Sequence, residues 1–162
     1  MSKKVPTDQQ SQGRCKALFR ELERALKSPS LTFREITQIK AQGLYFIAEK
    51  GDIIYVGKTG RAGQKRMREL ATDFRSHTLN YKLLRQRLRK KGLALTGSVK
   101  TIKQEMIAAA FLTEEEFRAH QASINAHIRG KFTFQFYPVA NAAQLGRLEY
   151  FAIAILDPTY NA

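Results

Sequence analysis

Two short β-like runs, Leu44 to Ala48 and Ile53 to Val56, are separated only by Glu49-Lys50-Gly51-Asp52. Four polar residues with a glycine suffice for a tight reversal and for nothing longer, so the runs are expected to pair as an antiparallel hairpin. A third strand is expected much later, where Phe132, Phe134 and Phe136 alternate with Thr133, Gln135 and Tyr137 before Pro138. That is the period of a strand with one buried face. A lone hairpin is marginal in water, so these strands need one another and a layer of helices.

The remaining chain reads as those helices. One from about Arg14 to Lys27 carries Leu18, Leu22, Ala25 and Leu26 on a stripe and stops at Ser28-Pro29-Ser30. Thr32-Phe33-Arg34-Glu35 has capping-box spacing and predicts a short helix leading up to Gly43. After a glycine-containing loop, Gly57 to Gly63, come a helix from Gln64 to Phe74 and another from Leu79 to Lys91, with Gly92 as its stop. Thr101 to Gln104 and Thr113 to Glu116 repeat the capping-box spacing, predicting two more helices before Gly130. A last helix spans Ala142 to Leu156 and breaks at Asp157-Pro158. The expected fold is α+β, a small three-stranded antiparallel sheet flanked by helices, forming one domain over residues 13–162 behind a flexible leader, Met1 to Gln12.

Charge narrows the partner. The chain carries 28 Lys and Arg against 14 Asp and Glu, a net +14, which points to a polyanion. Between Lys58 and Lys91, twelve basic residues face only Glu69 and Asp73, the density of a phosphate-facing surface. The single Cys15 excludes an internal disulfide framework and a cysteine-clustered zinc site, and favours a reducing, cytoplasmic setting. No run reaches membrane-spanning length, so no membrane partner is expected. His120 and His127, seven apart, can share a helical face but lack a third ligand; His77 lies near the expected phosphate surface, and Cys15 reads as a packing residue, so none receives a catalytic role.

Leu148 to Leu156 is the most apolar stretch, and Glu149 sits at its head. A helix apolar nearly all round packs into a core, so this carboxylate should meet either a basic side chain or a metal ion.

Gly43-Leu44-Tyr45 followed by Tyr55-Val56-Gly57 is similar to the paired tripeptides of the GIY-YIG nuclease family, with the tyrosines ten positions apart across a hairpin. The likeness continues through Lys58, Arg66, Glu149 and Asn161. The motifs most resemble those in the nuclease domain of the bacterial excision-repair incision subunit, where a Lys-Arg-apolar triplet (here Lys65-Arg66-Met67) and a Glu-to-Asn spacing of twelve recur. Core motifs fall in 43–70 and 131–162. Residues from about 71 to 130 have no counterpart in them and read as a basic helical insertion. One extra residue before Arg66 leaves Arg61, Arg66 or Arg68 as the equivalent arginine.

The resemblance implies a metal-dependent DNA endonuclease that hydrolyses phosphodiester bonds. Tyr45 would be the general base, with Tyr55 or Lys58 easing its ionisation; Arg66 would hold phosphate oxygens, Glu149 a single Mg²⁺ or Mn²⁺, and Asn161 a supporting position. Arg61, Lys65, Arg68, Arg85, Arg87, Arg89, Lys90 and Lys91 would grip DNA, and no obligatory protein partner is expected. Two alternatives stand beside this: a catalytically inactive nucleic-acid-binding module of the same fold, and a basic protein-interaction domain.

Overall fold

The computed structural model describes residues 7–60, 63–93, 98–109 and 111–161. In chain order the elements are α1 (Asp8–Leu26), α2 (Phe33–Ile36), β1 (Gly43–Glu49), β2 (Asp52–Thr59), α3 (Gly63–Leu70), α4 (Thr78–Lys90), α5 (Ile102–Ala108), α6 (Glu114–Lys131), β3 (Phe132–Pro138) and α7 (Ala142–Leu156). The strands form one antiparallel sheet in the order β2-β1-β3, with helices on both faces, an α+β fold. Among the described residues, no helix is long and apolar enough to cross a membrane.

Covering both faces explains why the central strand reads as a continuous apolar run: Leu44, Tyr45, Phe46 and Ile47 are all fully buried. Leu44, Phe46 and Val56 point to α1 and α7, meeting Leu22, Leu145 and Leu148. Tyr45, Ile47 and the alternating Phe132, Phe134 and Phe136 point the other way. There they share a core with Ile36, Met67, Leu84, Met106, Phe117 and Ile128, drawn from α2 to α6. Residues 71–130, expected as an insertion, thus build the core on this face.

One irregularity in the hairpin positions the site. Glu49 pairs with Asp52 and Ala48 with Ile53, but Ile47 pairs with Tyr55, so Ile54 is an extra residue in β2. Counting straight on from the turn would set Tyr55 opposite Phe46, on the α1–α7 face. The bulge rotates it onto the face that carries Tyr45.

Several boundaries differ from expectation for local reasons. Residues 8–12, read as part of a flexible leader, belong to α1, because Thr7 and Gln10 form a reciprocal capping box. Residues 1–6 lie outside the described residues. The expected loop from Gly57 begins as strand, since Gly57, Lys58 and Thr59 still pair with β1. Helix α3 stops at Leu70 rather than Phe74, because α6 binds the next backbone groups: Arg129 donates to the Ala71 carbonyl, Asn125 to that of Thr72, and Gln121 accepts from Phe74 N–H. Thr113 caps α6 as its spacing predicts, but Thr101 makes no side-chain cap. Its backbone is already helical, so its hydroxyl meets Ser98 instead. Helix α6 runs through Gly130 and turns directly into β3 at Phe132. Helix α7 is not buried all round: it packs by one face, leaving Tyr150 and Ile155 exposed.

Candidate active site

The two glycines that open and close the paired tripeptides are explained by crowding. Gly57 lies opposite Tyr45 in the ladder, and a Cβ there would run into the Tyr45 hydroxyl and ring. A Cβ on Gly43 would strike the carbonyl of Tyr137 and come within 2.9 Å of the Phe136 ring. The Tyr45 ring therefore lies across Gly57, next to Tyr55, with centroids 6.2 Å apart and planes 27° apart.

A histidine completes this pair. His77 is the N-cap of α4, and its Nδ1 accepts the Leu79 N–H at 3.1 Å. Nδ1 therefore carries no hydrogen, so in the neutral ring Nε2–H donates to the Tyr45 hydroxyl, at 3.0 Å. The imidazole also meets the edge of Tyr55, 5.5 Å between centroids. Helix α4 begins at Thr78, one residue before the expected Leu79. Sequence reasoning missed His77 because its partner lies 32 positions away; the only local signal was a histidine just ahead of a leucine-striped helix.

Burial, with Arg66 adding to it, pushes His77 down to about 3 from an ordinary 6.5. Between those values the unfolded chain binds a proton here that the folded chain does not. Stability is therefore full above the ordinary value and falls as pH falls through the window, by at most about 1.4 kcal/mol per pH unit. Urea denaturation at about pH 7 and about pH 5 should show this loss. His77→Asn keeps a capping side chain without a titrating ring and should remove most of it, while His120, also lowered by burial, contributes equally to both proteins. Equal pH dependence in the two would contradict a neutral, buried His77.

Of Arg66 and Arg68, it is Arg66 that lies against the tyrosines. Its half-buried guanidinium donates to the Ser76 carbonyl at 3.3 Å and meets Glu69 at 3.4 Å, and it lies beside both phenols. Burial opposes its charge, but Tyr45, Tyr55 and Glu69 more than offset this. Arg68 is exposed and faces a shallow depression with Lys65 and Thr72, while Arg61 lies outside the described residues.

The phenols behave differently from expectation. Arg66 favours their ionised forms, yet burial dominates and raises both, Tyr45 well beyond the usual phenol range. Tyr45 has no exposure and Tyr55 about 9%, so Tyr55 is the phenol nearer solvent. The cation beside Tyr45 is Arg66, not Lys58. Lys58 instead binds Glu149 at 2.7 Å, which strengthens its hold on its proton.

Glu149 thus meets a basic side chain. Its carboxylate keeps 16% exposure, and Lys58 at 39% can swing aside on its long stem. One accessible carboxylate fits a Mg²⁺ that takes its other positions from water and phosphate oxygens. Among the described residues no group of three or more His, Cys, Asp or Glu side chains gathers into a site.

Asn161 acts on the backbone. Its amide accepts Val56 N–H and donates to the Val56 carbonyl, both at 2.7 Å, while Tyr160 N–H binds the Ile54 carbonyl. Residues 160–161 thereby clasp the outer edge of β2 on either side of Tyr55.

The expected DNA-gripping residues divide. Lys65, Arg68, Arg89, Lys90 and Lys91 are exposed. Arg85 and Arg87 are half-buried, and the Arg87 guanidinium donates to Ser123 on α6 at 2.7 Å.

Comparison of the chain with protein-family models, curated proteins and solved structures gives no match.

Proposed function

We propose that this chain is a metal-dependent DNA endonuclease of the GIY-YIG kind, working on DNA in the cytoplasm. The observation that carries the reading is the meeting of Tyr45, Tyr55, His77 and Arg66, from four separate elements, beside the Lys58–Glu149 pair.

In this reading Arg66 and Lys58 hold the non-bridging phosphate oxygens, the first by a planar fork of donors and the second as a point charge. Tyr55, the phenol nearer solvent, first loses its own proton to solvent, and the phenolate then takes the proton of the attacking water as the water oxygen bonds to phosphorus. The departing oxygen leaves with the electrons of the broken P–O bond. Tyr45, fixed from behind by His77, positions Tyr55 by its stacked ring. Glu149 is the residue that would hold a divalent cation. Such a cation would polarise the phosphodiester and reverse the charge at Glu149, which by itself opposes ionisation of both phenols.

The far end of α4 supplies the grip. Arg89, Lys90 and Lys91 are exposed about 20 Å along the helix from His77 at its other end, a distance that several phosphates would span. Replacing all three by glutamate should weaken DNA binding and flatten its salt dependence, by about 0.9 in the logarithmic slope per lost contact on duplex DNA. Fluorescence anisotropy across a salt series measures both. Unchanged affinity and slope would place the DNA path elsewhere.

A further inference from the structure

Tyr150 is 71% exposed, an unusual setting for so large a ring on the helix that also fills the core through Leu145 and Leu148. It follows Glu149 in sequence, and the Lys58 ammonium lies over its ring, 5.2 Å from the centroid. Gly146, Glu149 and Tyr150 share one face of α7, three and four positions apart. Lys58 reaches over all three: a Cβ on Gly146 would sit 3.7 Å from its Nζ. The ring thus stands at the rim of the site, steadied by the cation that pairs with Glu149. Most of its surface faces water.

We propose that Tyr150 is a stacking platform for an unpaired nucleobase next to the scissile phosphate, a selectivity that rests on the nuclease reading above. An aromatic ring beside a cation matches the two parts of a nucleotide, the base for the ring and its phosphate for the ammonium. Bases inside a duplex are already stacked on their neighbours and cannot present a face to such a ring. A single strand, a mismatch or a splayed end can. The platform therefore favours DNA with an unpaired base at the cleavage point, and because any base has a π-face it does so without reading sequence.

The test uses an oligonucleotide carrying 2-aminopurine, whose fluorescence falls when it stacks, as a single strand and as a fully paired duplex. Binding is followed without divalent cations so that the DNA stays intact. The wild-type chain and Tyr150→Phe should bind the single strand with quenching. Tyr150→Ala should lose roughly 5- to 150-fold in single-strand affinity together with the quench, while all three bind the duplex alike. The exposed ring supports little of the core, so each variant should melt as the wild type does.

Equal single-strand affinity and quenching in Tyr150→Ala would overturn the platform and leave the nuclease reading standing. A loss in Tyr150→Phe as large as in Tyr150→Ala would also overturn it, since the hydroxyl rather than the ring would then be the contact. Failure of the wild type to bind either DNA form would remove the nuclease reading itself, and the platform with it.

Discussion

On the proposed reading, Glu149→Ala should abolish Mg²⁺-dependent DNA cleavage and leave DNA affinity within a few-fold of wild type. The carboxylate stands at the rim with a negative charge and some exposure, as holding a hard cation requires, and its present partner is a lysine that can move. Glu149→Gln keeps the shape but not the charge, so it should fail equally. Neither change should unfold the chain, because Lys58 is left in contact with water rather than stranded in the interior. Gel assays of cleavage, paired with anisotropy of binding, separate the two effects. Cleavage by Glu149→Ala at the wild-type rate would end the metal assignment.

Tyr55→Phe should lower the cleavage rate by roughly 10²–10⁴, the range for a lost proton-transfer group. Burial raises the Tyr55 phenol above its ordinary value, so its ionised form becomes more abundant throughout the neutral and mildly alkaline range. The wild-type rate should therefore climb with pH from about 6 to about 9, and that climb should vanish in the variant. Tyr45→Phe has another signature. It leaves the His77 Nε2–H buried without its acceptor, costing about 1–3 kcal/mol of stability, with a smaller loss of rate. A large rate loss in Tyr45→Phe with a rate near wild type in Tyr55→Phe would reverse the two roles.

The legible parts of this molecule are those fixed by short-range periodicity. Alternation of Phe132, Phe134 and Phe136 survives as the buried face of β3, and the four-residue reversal at Glu49 survives as the hairpin. The capping boxes at Thr32 and Thr113 worked because the backbone ahead of each is extended. Thr101 has the same spacing, but the chain has already turned before it reaches that residue.

What stayed hidden depends on distant contacts. Nothing near Ile54 announces the bulge, which places Tyr55 beside Tyr45 on the face that α2 to α6 cover. The place of His77 depends on α6 gripping residues 71–74, through Gln121, Asn125 and Arg129 four positions apart on one face. Arg66 and Arg68 differ by two positions, hence by opposite sides of a helix, and only the packed structure tells which meets the tyrosines.

The most direct test is to incubate the wild-type chain with supercoiled plasmid in Mg²⁺ and, separately, in EDTA, following strand breakage on a gel. Nicked and then linear DNA should appear in Mg²⁺ and not in EDTA, with Mn²⁺ able to replace Mg²⁺. Plasmid that is bound in a salt-dependent manner but stays intact with either metal would contradict the account, and would make the chain a DNA-binding module rather than a nuclease.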